Sequence, residues 1–277
     1  VKKVVGIFTI LFAVAFLPAV QAEEKVAIAI IDTGVDTSKV NVFHEVCIME
    51  EKRCPNKQTF MEGPGSATRS AVNGFEHGTR MVRVAQAINP NVNIVFIRII
   101  PADRNDRNPM YAAANSNSTV KQALDWVVAN KKKFNIVATS VSFVEYSRFR
   151  TGANYCPVNG GLQKTIANLQ SLNVGAFFAA GNDYKSNQVG YPACISESIA
   201  VGASNADHRV ELYSNRSPQI DFFALGTYDI LGERIMGTSP STAALAAHWA
   251  KNYKGTYQGT YDYLKSVSIN LVVPLAQ

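Results

Sequence analysis

The sequence predicts an α/β fold: a doubly wound, mainly parallel sheet with helices on both faces. Two observations carry that expectation. Short apolar runs alternate with segments of helical periodicity along most of the chain. The runs are apolar at odd and even positions alike, as strands covered by helices on both faces must be. A length of 277 residues, 47% hydrophobic and 17% charged, is an ordinary globular composition with room for one large domain. No repeat, low-complexity tract or linker divides it.

Taken in order, Val26–Ile31 reads as the first strand. A helix over Gly78–Ile88 follows from apolar residues at Met81, Val84, Ala85 and Ile88. Val92–Ile100 is the next strand. The pattern "VKQALDWVVAN" predicts a helix over Thr119–Asn130 that closes on Lys131-Lys132-Lys133, where cations suit the dipole. Ile136–Val141, Gly175–Ala180 and Ser198–Val201 complete the strands, with a helix over Leu162–Leu172 among them. A last helix spans Pro240–Asn252, with Ser239 as its cap and Pro240 in its first position. The polar stretches Asn41–Asn73 and Pro101–Asn117 read as surface insertions.

The first residues have a different character. Lys2 and Lys3 precede an apolar run, Val4–Val20, that ends in the small-residue exit Val20-Gln21-Ala22. That is the pattern of a secretory signal peptide over residues 1–22. It leaves residues 23–277 as one domain, expected to be secreted or periplasmic and to need no membrane. The formal charge of +6 includes Lys2 and Lys3, and the mild basic excess left without them argues against a nucleic-acid partner. Four cysteines behind an export signal suggest two disulfides. Three pairings are open; Cys47–Cys54 closes a short loop and leaves Cys156–Cys194. No C-x-x-C pair suggests zinc, and no residue is assigned as a metal ligand.

The chemistry begins at "VAIAIIDTGVD". Asp32 ends a buried apolar strand, a costly place for a carboxylate without a partner. The carboxyl end of a parallel strand is also where α/β sheets collect catalytic groups. D-T-G loops occur in aspartic peptidases, which need two such loops to share a proton. This chain has one. A second segment is "GFEHGTRMVRVAQAI". His77 sits at a helix start, where the dipole disfavours an imidazolium and a partner carboxylate is useful. A third is "IMGTSPSTAALAAHWA", with Ser239 before Pro240. Read alone, Ser239 is a helix cap.

Together the segments change that reading. The order Asp32, His77, Ser239, with D-T-G, H-G-T and G-T-S around them, resembles the subtilisin-like serine peptidases, or subtilases. "VGAFFAAGND" resembles that family's strand ending in A-A-G-N, and "NIVATSVSF" stands where the family binds substrate backbone. The resemblance covers nearly all of the chain from Val26. It implies a subtilisin-like fold and an endopeptidase acting on polypeptide substrates. Ser239 would be the nucleophile, His77 the base, Asp32 its orienting carboxylate and Asn182 an oxyanion donor. Ser140, Val141, Ser142, Ala180 and Gly181 would line the substrate cleft, with Phe143 narrowing the pocket for the residue before the scissile bond. No cofactor is expected. Many subtilases bind Ca²⁺, but no calcium loop stands out here and no ligands are assigned.

Three departures from the family pattern stand out. Pro240 follows the serine where the family has methionine. Met81-Val82-Arg83 is bulkier than the usual small residues. No recognisable pro-domain lies between Ala22 and the first strand. They motivate an alternative: a catalytically silent subtilase fold that binds peptides or proteins. An esterase with the same triad is a weaker rival, because G-x-S-x-G is absent around Ser239. The other histidines carry no motif. His44 reads as a surface residue, His208 as part of a turn and His248 as a packed helix residue.

Overall fold

A computed structural model describes residues 25–69, 76–101, 116–145, 156 and 161–275. Its elements run β1 (Ala27–Asp32), β2 (His44–Ile48), β3 (Phe60–Glu62), α1 (His77–Ile88), β4 (Asn93–Arg98), α2 (Ser116–Phe134) and β5 (Ile136–Val141). They continue with α3 (Gly161–Ser171), β6 (Gly175–Ala179), β7 (Ile199–Ser204), β8 (Phe222–Leu225), β9 (Thr227–Ile230), β10 (Glu233–Met236), α4 (Thr238–Lys251) and α5 (Tyr257–Val267).

Eight strands form one sheet in the order β3-β2-β4-β1-β5-β6-β7-β8. Only the β2–β3 pair is antiparallel. β1 lies between β4 and β5, so the chain leaves β1 toward one edge and later returns to build toward the other. In open α/β sheets such a reversal is where ligands bind, outside the carboxyl ends of the strands. Asp32 is the last residue of β1.

Strand periodicity explains the two layers of core. Ala27, Ala29 and Ile31 point to one face, where they meet Val120, Ala123, Leu124 and Val127 of α2 and Leu162, Ile166 and Leu169 of α3. Ile28 and Ile30 point to the other, against Met81, Val84, Ala85 and Ile88 of α1 and the alanines of α4. α4 is apolar nearly all round and buried along most of its length, as a helix laid across the middle of a sheet should be. Trp249 closes its far end edge-on to Phe177, centroids 5.4 Å apart.

Several expectations need correction. Asn41–Asn73 is not a mere surface insertion, because β2 and β3 within it extend the main sheet. His44 is accordingly no loose surface group. It lies in β2 with its ring 4.4 Å from that of Phe134, and its Nε2 is 2.9 Å from a Glu62 oxygen. The helix expected over Pro240–Asn252 is α4, which starts at Thr238 with Gly237 at its N-cap, so Ser239 is its second residue and Pro240 its third. The proline removes no helical hydrogen bond there, since the first turn's N–H groups have no partner within the helix. β8, the β9–β10 hairpin and α5 lie outside the elements expected from sequence. Residues 1–22, expected from sequence to be a signal peptide, and most of Pro101–Asn117 fall outside the described residues. The disulfides are Cys47–Cys54 and Cys156–Cys194, as the short-loop argument expected. Among the described residues no helix is long and apolar enough to cross a membrane.

Candidate active site

Asp32 is 4% exposed and its carboxylate is well partnered. His77 Nδ1 lies 2.8 and 2.9 Å from its two oxygens, and the Thr33 N–H donates to Oδ1 at 2.6 Å. A carboxylate only accepts, so Nδ1 carries the ring proton and Nε2 is left as the acceptor nitrogen of the neutral ring. Burial pushes the imidazole pKa down. The charge and hydrogen bond of Asp32 outweigh it, and the net effect is a pKa raised above the usual 6.5, despite opposition from Arg80.

The two motifs lock together through backbone. Gly78 N donates to Thr33 Oγ1 at 3.2 Å, and Asp36 N donates to Thr79 Oγ1 at 3.0 Å. A side chain at Gly78 would place its Cβ 2.3 Å from the Gly34 carbonyl oxygen and 2.5 Å from Phe96. Glycine is therefore what lets the start of α1 reach the D-T-G turn and bring His77 to Asp32.

Ser239 is half-buried at the start of α4, which packs against α1 on the same face. Asn182 stands beside it. The Thr238 N–H donates to Asn182 Oδ1 at 2.9 Å, which fixes the amide and leaves its Nδ2 as the donor end. The turn bearing Asn182 is tied to the same helix, because Gly181 N donates to Thr238 Oγ1 at 3.3 Å.

That turn has a support that the motifs gave no hint of. Asn215 is fully buried. Its Nδ2 donates to the Ala180 carbonyl at 3.0 Å and to Asp183 Oδ2 at 3.1 Å, while its Oδ1 accepts from the N–H groups of Asp183 and Lys185. Its own N–H donates to the Gly181 carbonyl at 3.0 Å. Gly181 has φ +101°, and a Cβ there would meet Asn215 Nδ2 at 2.5 Å. Burial pushes the Asp183 carboxyl pKa up, with the Asn215 hydrogen bond opposing.

The cleft residues sit along one edge of the sheet. Ser140 and Val141 are the last residues of β5, paired with Ile30 and Ile31 of β1 on one side and Phe177 and Phe178 of β6 on the other. Ser142 is the first residue beyond those ladders. It emerges between the strands that end in Asp32 and lead to Ala180. The hydroxyls of Ser140 and Ser142 are buried with no hydrogen-bond partner among the described residues. Phe143 is 6% exposed and packs in the same apolar cluster as Ala180, Val189 and Ala193. Met81 and Val82 are core residues of α1, and Arg83 pairs with Glu233 of β10. The bulk after H-G-T is thus spent on packing. His248 is half-buried on α4 and His208 lies in an exposed turn. Among the described residues no three of His, Cys, Asp or Glu cluster as a metal site would.

This constellation can be set beside known proteins. The model of the Subtilase family matches residues 23–268. A protein named subtilisin-like protease 2 from Trichophyton verrucosum is 24% identical over 268 residues, which is 92% of this chain and 54% of that protein. The major intracellular serine protease of Bacillus subtilis (strain 168) is 21% identical over 231 residues, covering 79% of this chain and 61% of its own. The chain therefore spans little more than half the length of the curated relatives it matches. A protease of Pseudoalteromonas arctica superposes with TM-score 0.66 at 16% identity, over 89% of this chain and 84% of its own. A lanthipeptide protease superposes with TM-score 0.61 at 15% identity, over 89% and 82%. These two likenesses concern the fold.

Proposed function

This chain belongs to the subtilase family, and from that premise we propose that it is a serine endopeptidase using Asp32, His77 and Ser239. The observation that carries the reading is the paired Asp32–His77 hydrogen bond at the sheet's switch point, on the same face as the helix that bears Ser239.

In the proposed reaction the Ser239 hydroxyl attacks a peptide carbonyl as its proton passes to His77 Nε2. Asp32 holds the imidazole by Nδ1–H and stabilises the imidazolium that forms. The carbonyl oxygen gains negative charge, and Asn182 Nδ2 and the Ser239 N–H receive it. His77 then gives its proton to the leaving amine, and an acyl-enzyme remains. Water, deprotonated by His77, attacks the acyl carbon, and His77 returns that proton to Ser239 Oγ as the acyl–oxygen bond breaks and the acid product leaves. Every step uses protein groups and water. The Ser142 backbone beyond β5, with Ala180 and Gly181 opposite, would hold the extended substrate.

Two disulfides support folding in an oxidising compartment, and hence an exported enzyme. The reading is tested with a fluorophosphonate that labels activated serines. Folded full-length protein takes the label on Ser239, and Ser239→Ala takes none. Folded wild type that stays unlabelled and cleaves no peptide would instead support the silent peptide- or protein-binding module.

A further inference from the structure

Helix α1 and the β9–β10 hairpin are remote in sequence, and one carboxylate joins them. Glu233, at the start of β10, accepts from Arg80 Nε at 2.5 Å through one oxygen and from Arg83 Nη1 at 3.1 Å through the other. Arg80 lies three residues after His77 on α1. Glu233 lies six residues before Ser239. The bridge is shielded on one side: the Arg83 side chain is 16% exposed, that of Glu233 32% and that of Arg80 38%. Beneath it Met81 and Val84 of α1 share an apolar cluster with Tyr228 and Ile235 of the hairpin. Arg83 is one of the three residues that make the segment after H-G-T bulky.

We propose that Glu233 is a positioning residue: by clasping Arg80 and Arg83 it fixes the helix that carries His77 against the hairpin that delivers Ser239. The proposal rests on the reading of His77 and Ser239 as base and nucleophile. Its logic is geometric. Base and nucleophile come from separate elements, and proton transfer between them tolerates little drift. The Arg80 side chain is paired with Glu233, and the strap keeps it there.

The strap also has an electrostatic side. The charged groups around His77 are Asp32 from β1, Arg80 on its own helix, Glu76 just before that helix and Glu233 from β10. Asp32 favours the imidazolium and Arg80 opposes it. Glu76 lies 3.5 Å from Arg69, and Glu233 offsets Arg80. Removing the Glu233 charge leaves Arg80 facing the imidazole without compensation, so the His77 titration moves to lower pH.

The test compares full-length wild type, Glu233→Gln, Glu233→Asp and Arg80→Gln. The readouts are peptide hydrolysis and the His77 ring titration by NMR, assigned with His77→Gln. Glu233→Gln is expected to cut kcat about tenfold with KM nearly unchanged, since misplacement of reacting groups acts on the chemical step. It should also shift the His77 titration downward. Glu233→Asp should restore most of both, and Arg80→Gln should move the titration upward while the Arg83–Glu233 pair keeps the fold intact. A Glu233→Gln protein with wild-type kcat, or a His77 titration unmoved in both Glu233→Gln and Arg80→Gln, overturns the proposal. The titration reads the strap whether or not peptides are cleaved, so an inactive wild type would sink the peptidase reading separately.

Discussion

At the scale of single residues, the cost of burying Asp32 is met by donors on both sides of its carboxylate: the Thr33 N–H and the His77 ring. Asn182 is a second fixed group. Its carbonyl is held by Thr238 N, so its amide presents one face to the cleft. Asn182→Ala should lower kcat by about 10²–10³-fold with KM little changed, because an oxyanion donor acts on the transition state. Steady-state kinetics on a chromogenic peptide reads this; a change confined to KM would assign Asn182 to substrate binding. Phe143 gives a second prediction at this scale. It is buried in the same apolar cluster as Ala180, and if its ring narrows the pocket, small side chains before the scissile bond should be cleaved at least about tenfold faster than Phe or Tyr. A peptide panel varied at that position checks it, and a preference for aromatics would refute it. Most of this candidate site was legible in the sequence, because D-T-G, H-G-T, A-A-G-N and G-T-S are contiguous motifs. Asn215 was not. It lies thirty or more residues from the turn it supports, within "LYSNRSPQ", and nothing local marks an asparagine whose partners come from elsewhere in the chain.

At the scale of elements, that asparagine makes a loop behave as part of the framework. The turn 180–185 leaves β6 without secondary structure of its own, and Asn215 satisfies its backbone from the side. Asn215→Ala should destabilise the fold by about 2–4 kcal/mol, since it strands several buried polar groups at once. Urea denaturation measures this, and a loss below about 0.5 kcal/mol would show that the turn holds its own shape. The same scale explains which elements could be read in advance. β1, β4, β5 and β6 each hold a buried run dominated by apolar residues, and α1 repeats its apolar residues at helical spacing. β2, "HEVCI", begins with two polar residues and is recognisable as a strand only from its pairing with β4. β3 and β8 are three and four residues long, too short for periodicity to register. α5 carries Gly259 near its start and buries only Thr260 and Leu264 fully, so its stability comes from docking more than from propensity.

At the scale of the whole molecule, two histidines make folding depend on pH in opposite senses. His77 has a raised pKa, so the stability it contributes is full below its ordinary 6.5 and is lost as pH rises through its folded value. His248 is the reverse. Burial, aided by Lys251, pushes it down to about 4, and its Nε2 lies 3.3 Å from the Asn252 amide nitrogen, which suits a neutral ring. Stability tied to His248 is present above pH 6.5 and lost as pH falls toward about 4. His248→Gln should therefore flatten the loss of stability between pH 6.5 and pH 4, as urea midpoints across that range would report. An unchanged slope would mean that His248 titrates normally. The central claim is that Asp32 and His77 together activate Ser239, and its most direct measurement is the pH dependence of fluorophosphonate labelling at that serine. The rate should rise with pH through a single ionisation whose midpoint lies above 6.5, and Asp32→Asn should reduce it by about 10⁴-fold. Labelling that is flat with pH, that falls on a different serine, or that survives Asp32→Asn undiminished would contradict it.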